Sequence, residues 1–134
     1  MKSLRVFICI IMIYFGLFGM APETASAELS QANLEAIKAD CGGIFTPIRT
    51  QFGNSCRSMA DGVYAKLRND PEVNFFQFKK YVMEGIPGST KANEKGLIPF
   101  FQEIISKADG GASYISEAKI ALTQAQTLAR NSQI

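Results

Sequence analysis

The chain has 134 residues with three Cys, no His and no Trp, and its 14 basic and 12 acidic side chains give a formal net charge of +2. A chain this short supports one core, and without His it has no imidazole base, no Ser-His or Cys-His pair and no His metal ligand. Mixed charge without a basic run excludes the electrostatic footprint expected of a nucleic-acid or anionic-lipid binder.

The first 27 residues read as an address. Lys2 and Arg5 precede an apolar run over residues 6–21, Pro22-Glu23-Thr24 interrupts it, and Ala25-Ser26-Ala27 puts small residues at −3 and −1 of a cut before Glu28. The run is about 16 residues, short of the roughly 20 that a spanning helix needs. A cleaved secretory signal over residues 1–27 is expected, followed by one domain over residues 28–134. No Cys ends the run, which argues against a lipid anchor. The mature part would keep 12 basic and 11 acidic residues and be periplasmic or secreted, with no stable membrane span.

Cleavage would also remove Cys9, leaving Cys41 and Cys56 in a compartment that permits disulfides. Two cysteines have one intramolecular connectivity. Closing a ring of about 15 residues contributes roughly 3 kcal/mol on the loop-entropy argument, against a total of about 5–10 kcal/mol for a domain of this size. A redox pair would usually show C-x-x-C spacing, and two thiolates alone cannot close a zinc site. The pair therefore reads as a structural staple, with no metal and no cofactor.

Helical periodicity with Gly and Pro punctuation runs through the rest, without a sustained period-two segment. Leu29 and Leu34 flank a Ser30 N-cap as a hydrophobic staple. Leu34, Ile37 and Cys41 share a face, and Gly42-Gly43 is expected to end this first helix. Thr46-Pro47 looks like a cap with proline at the first helical position. From there Ile48, Phe52, Cys56, Met59, Val63 and Leu67 make a stripe about 100° wide, the width of a core-facing helix surface. Asp70 then caps and Pro71 starts a third helix over residues 71–84.

That third helix is apolar over more than half its circumference. Phe75, Phe78 and Val82 share one face, Phe76 and Met83 a second, and Val73 and Tyr81 lie between or beyond. Either the helix is buried on several sides, or one face is left for a partner or an apolar ligand. Residues 85–89 read as a turn and residues 90–96 as a short helical turn or a loop. Proline tolerance places the next helix near Pro99, with Phe101, Ile104, Ile105 and Ala108 inward and Asp109-Gly110-Gly111 closing it. In the last helix Ser113 is the expected cap. Tyr114, Ile115, Ala118, Ala121, Leu122, Ala125, Leu128 and Ala129 face inward over about 140°. Ile120 points outward. The expected fold is all-α: a compact bundle of four to five short helices with one disulfide.

Little in the chain suggests catalysis. Ser116-Glu117-Ala118-Lys119 matches an S-x-x-K pattern, but its companion motifs are missing and its Ser and Lys lie on the outward face. Glu84, Glu94, Glu103 and Asp109 could form a carboxylate pair, yet nothing draws two of them into an apolar cleft. No phosphate loop, EF-hand or dinucleotide fingerprint is present. A non-catalytic protein is expected.

Cys41 followed by Cys56-Arg57-Ser58-Met59-Ala60-Asp61-Gly62-Val63 resembles the paired-Cys opening and C-x-[GS]-x-x-x-G-[VI] signature of small periplasmic immunity proteins. Phe78-Lys79-Lys80-Tyr81-Val82 and Leu97-Ile98-Pro99-Phe100-Phe101 resemble the helices that follow it there. The resemblance implies a helical, disulfide-bonded inhibitor of peptidoglycan amidases delivered by type VI secretion. The chain lacks that family's later cysteines and has Met59 where an aromatic is usual.

Export, missing catalytic groups and abundant aromatics together point to a module that binds a protein, either as an immunity-type inhibitor or as a secreted effector. Phe75, Phe76, Phe78, Tyr81, Phe100 and Phe101 are the candidate surface. The rival is a carrier of a small apolar ligand or lipid in a pocket between the third and fourth helices, lined by these same phenylalanines. A third reading is an acid-stress holdase, which would expose apolar surface at low pH and, without His, would have to switch through carboxylates.

Overall fold

The computed structural model describes residues 29–108 and 110–131. The expected leader with Cys9, and the expected closing residue Asp109, lie outside the described residues. Among the described residues five α-helices follow one another: α1 Gln31–Ile44, α2 Thr50–Leu67, α3 Phe75–Glu84, α4 Leu97–Lys107 and α5 Gly111–Asn131, with a 3₁₀ turn Ala92–Glu94 between α3 and α4. Among the described residues there is no strand. α1 packs on α2, α2 also meets α3, α4 and the 3₁₀ turn, and α5 lies across α3 and α4.

Ser30 starts α1 as expected. Its Oγ accepts from the Asn33 N–H at 3.2 Å, and Asn33 Oδ1 accepts from the Ser30 N–H at 3.0 Å, a reciprocal capping box. Leu29 and Leu34, the two ends of the staple, are both buried. The helix does not stop at Gly42-Gly43 but continues to Ile44. Cys41 is bonded to Cys56 with Cα atoms 5.4 Å apart, and the Phe45 N–H donates to Cys41 O at 3.0 Å. With Cys41 anchored and Phe45 fully buried just beyond, tertiary contacts override the low helix propensity of the two glycines.

α2 begins later than Thr46-Pro47 suggests. The N–H groups of Ile48 and Arg49 both donate to Phe45 O, so residues 45–48 form a turn and helical geometry starts at Thr50. Thr46 caps nothing; its Oγ1 is buried without a hydrogen-bond partner. It packs against Gly53, where any Cβ would strike it. The stripe itself holds, with Phe52, Cys56, Met59 and Val63 buried and Ile48 and Leu67 packed at its ends.

The start of α3 shifts in the same direction. Asp70 Oδ1 accepts from the Glu72 N–H at 2.9 Å and Asp70 O from the Val73 N–H at 3.3 Å, turning the chain so that Val73 enters the core. The cap is Asn74, whose Oδ1 accepts from the Gln77 N–H at 2.9 Å while Gln77 Oε1 accepts from the Asn74 N–H at 3.1 Å. α4 starts at Leu97 rather than Pro99, with Pro99 still inside its first turn, where a missing N–H costs nothing. Ala108, expected inside, is exposed with left-handed φ 54° at the end of α4. α5 starts at Gly111, which leaves Ser113 inside the helix and not at its cap.

Phe101 is the centre of the core. Its ring lies 5.0 Å from Phe52, 5.7 Å from Phe45 and 5.4 Å from Phe100, and Phe52 in turn meets Tyr114 edge-on at 5.3 Å. These edge and tilted geometries suit the ring quadrupoles. Arg49 fastens α5 to the start of α2. Its Nε donates to Glu117 Oε1 at 2.7 Å, and its guanidinium stacks 4.5 Å above the Tyr114 ring. Ala118, Ala121, Ala125 and Ala129 are all buried along one face of α5, which lets α3 and α4 approach closely.

Candidate functional site

The structure sorts the six aromatic candidates by burial. Phe78 and Phe101 are fully buried, so neither belongs to a surface. Phe78 packs on Tyr64 with centroids 6.1 Å apart, and Phe101 fills the space among Phe45, Phe52 and Phe100. The reason lies in position: Phe78, Val82 and Met83 form the inner face of α3, and Phe101 faces α2 from the middle of the core. The five phenylalanines assigned to a carrier pocket therefore do not surround one hollow; two of them plug the core.

Phe76 is the opposite case, 47 % exposed. It sits beside half-buried Phe75, centroids 6.1 Å apart, and Lys79 Nζ lies 5.6 Å from the Phe75 ring centroid. Tyr81 is half-buried further along α3. The capping box at Asn74 and Gln77 fixes the turn that carries this aromatic pair. Ile120, on α5, is likewise 54 % exposed.

Phe100 belongs to a different place. It is half-buried in an open cleft of about 320 Å³ between α2, the 3₁₀ turn and α4, with Met59, Ala92 and Pro99 as apolar neighbours and Lys95 and Glu103 exposed at the edge. A second hollow of about 200 Å³ adjoins it, sharing Met59, Ala92 and Phe100 and adding Ser55, Ser58 and Asn93. Gly62 makes the cleft possible. A Cβ there would collide with the backbone oxygen and side chain of Asn93, so only glycine lets the 3₁₀ turn sit on α2. Gly85 and Gly96, both at positive φ, cross back to back at the base of the intervening loop. Ile86 N–H donates to Glu94 O at 2.8 Å, and Ser89 Oγ donates to the buried Glu94 carboxylate at 2.6 Å.

Glu103 bonds Lys107 Nζ at 2.8 Å. The hydrogen bond from Lys107, then the Lys107 charge and the more distant Lys95 charge, hold its carboxyl below the ordinary 4.5. The cleft residues Met59, Ala92, Lys95 and Pro99 escape sequence reasoning, because Met59 reads as core stripe and residues 90–96 read as polar connection. The available signal is Gly62, an isolated glycine in a helical stripe, which marks a close backbone approach.

Among the described residues no group of three or more His, Cys, Asp or Glu side chains is placed to hold a metal ion, and no helix is long and apolar enough to cross a membrane. Ser116 and Lys119 are exposed on α5. Comparison of the chain with family models, curated proteins and solved structures gives no match.

Proposed function

We propose that this chain is an exported, non-catalytic module that binds a protein through the aromatic start of α3. One observation carries the reading: Phe76 is nearly half exposed beside Phe75, on a helix whose other large apolar side chains are buried or half-buried. A rigid aromatic held by a capped helix loses little entropy on binding, and aromatics of this kind anchor protein interfaces. Export rests on the leader sequence, and the Cys41–Cys56 bond is what an oxidising compartment permits. The resemblance carried by Cys41 and residues 56–63 makes immunity-type inhibition of a cell-wall amidase one form of this function. A secreted effector acting on a host protein is the other.

The test replaces Phe76 with a photo-cross-linking phenylalanine and irradiates the oxidised protein in periplasmic extract and, separately, in host extract. A discrete protein adduct is expected at position 76, lost on adding Phe75→Ala and missing when the probe replaces exposed Lys119. Equal labelling from both positions would refute it. A wall hydrolase in the adduct identifies the inhibitor, a host protein the effector. Mass spectrometry of the product should show an N-terminus at Glu28; an intact Met1 would overturn the compartment.

A further inference from the structure

The cleft between α2, the 3₁₀ turn and α4 changes character along its length, and we propose that it holds an extended acidic peptide segment of a protein partner, with one large apolar side chain next to a carboxylate. This rests on the protein-binding reading but uses a different face from Phe76. At the centre, Met59, Ala92 and Phe100 are common to both hollows and offer an apolar seat for one side chain. At one end stands Lys95, exposed and without an ion-pair partner among the described residues, while Glu103 is already satisfied by Lys107. Lys95 also acts on Glu103 from farther off, but Lys95, Glu103 and Lys107 together still leave that end positive. An incoming carboxylate meets Lys95, whereas an incoming ammonium meets Lys95 and a glutamate that is taken.

At the other end are Ser55, Ser58 and Asn93, whose side chains make no hydrogen bond among the described residues. They can donate to and accept from a peptide backbone. This polar end decides between occupants. A fatty acid with its carboxylate at Lys95 would run its tail across the apolar centre onto hydroxyl and amide groups, which it cannot satisfy. A peptide matches all three stretches: carboxylate, apolar side chain, backbone. The open form and the size, about 320 Å³ with about 200 Å³ adjoining, suit one inserted side chain better than an enclosed lipid.

The experiment titrates the isotope-labelled, oxidised protein with acetyl-Ser-Leu-Glu-amide, acetyl-Ser-Leu-Lys-amide and decanoate, following backbone amides by NMR. The Glu peptide should shift Met59, Ala92, Lys95 and Phe100, and bind about three- to fivefold tighter than the Lys peptide, the size expected of a partly exposed ion pair. That preference should shrink with added salt. Lys95→Glu, an exposed change whose melting temperature serves as the folding control, should reverse it. Equal binding of the two peptides, a preference untouched by Lys95→Glu, or decanoate as the tightest cleft ligand would each overturn the proposal. Shifts confined to Phe75 and Phe76 would also overturn it, yet leave the protein-binding reading standing.

Discussion

Phe76→Ala and Phe78→Ala remove the same side chain from positions two residues apart, and the fold predicts opposite consequences. Phe78 is fully buried against Tyr64, so its loss forfeits the whole transfer term and leaves a cavity. Such truncations cost about 3–5 kcal/mol, roughly half of the about 5–10 kcal/mol available to a domain of this size. At roughly 4–8 °C per kcal/mol, the melting temperature should fall by more than about 12 °C. Phe76 already has 47 % of its surface in water, so its truncation forfeits only about half of the roughly 1.5–3 kcal/mol for full burial, about 1–1.5 kcal/mol. Urea titration followed by far-UV circular dichroism measures both, with the m-value checking that the transition stays two-state. If Phe76→Ala moved the midpoint as far as Phe78→Ala, Phe76 would be a core residue and the aromatic surface on α3 would not exist. If Phe78→Ala were nearly silent, the packing of α3 described here would be wrong.

Two glycine substitutions should have opposite signs. Gly43→Ala lies inside α1 with nothing within 4 Å of a new Cβ, so it should stabilise by up to about 1 kcal/mol; Gly62→Ala gains the same propensity but drives a Cβ into the Asn93 backbone, and its melting temperature should drop. Replacing both Cys41 and Cys56 with Ser should cost about 3 kcal/mol in denaturant, and a variant as stable as the oxidised parent would contradict the staple. For Glu103 the folded carboxyl titrates below its ordinary 4.5, so the Glu103–Lys107 contribution is present above that value and is lost as pH falls through the lowered one. Lys107→Met should move the Glu103 midpoint upward in an NMR titration; an unchanged midpoint would mean the pair does not form in solution.

Local sequence and tertiary contacts divide the control of each helix. The α2 stripe and the α5 alanine face follow from periodicity, since burying one face of a helix needs only an apolar residue every three or four positions. The Ser30 cap is equally local: one hydroxyl and one backbone N–H within a turn. The helix starts that the sequence puts near Thr46, Asp70, Pro99 and Ser113 lie two to four residues from the observed ones, and at the first three a local contact or backbone conformation decides. Phe45 carbonyl captures two N–H groups before α2, Asp70 turns Val73 inward before α3, and Gly96 at positive φ lets α4 begin before its proline.

The candidate surface divides along the same line. Composition alone shows that the chain carries ten Phe and no His, so it holds abundant aromatic surface and no imidazole. Cysteine counting paired Cys41 with Cys56 once a leader was assumed. Which phenylalanines face water could not be read, because the apolar arc of α3 exceeds the area one neighbouring helix can cover. Only the docking of α3 against α2, α4 and α5 decided that Phe78 goes in and Phe76 stays out. The cleft at Phe100 is tertiary in the same sense: it arises where Gly62 lets a distant turn rest on α2, and no local pattern encodes the distance between two segments about thirty residues apart.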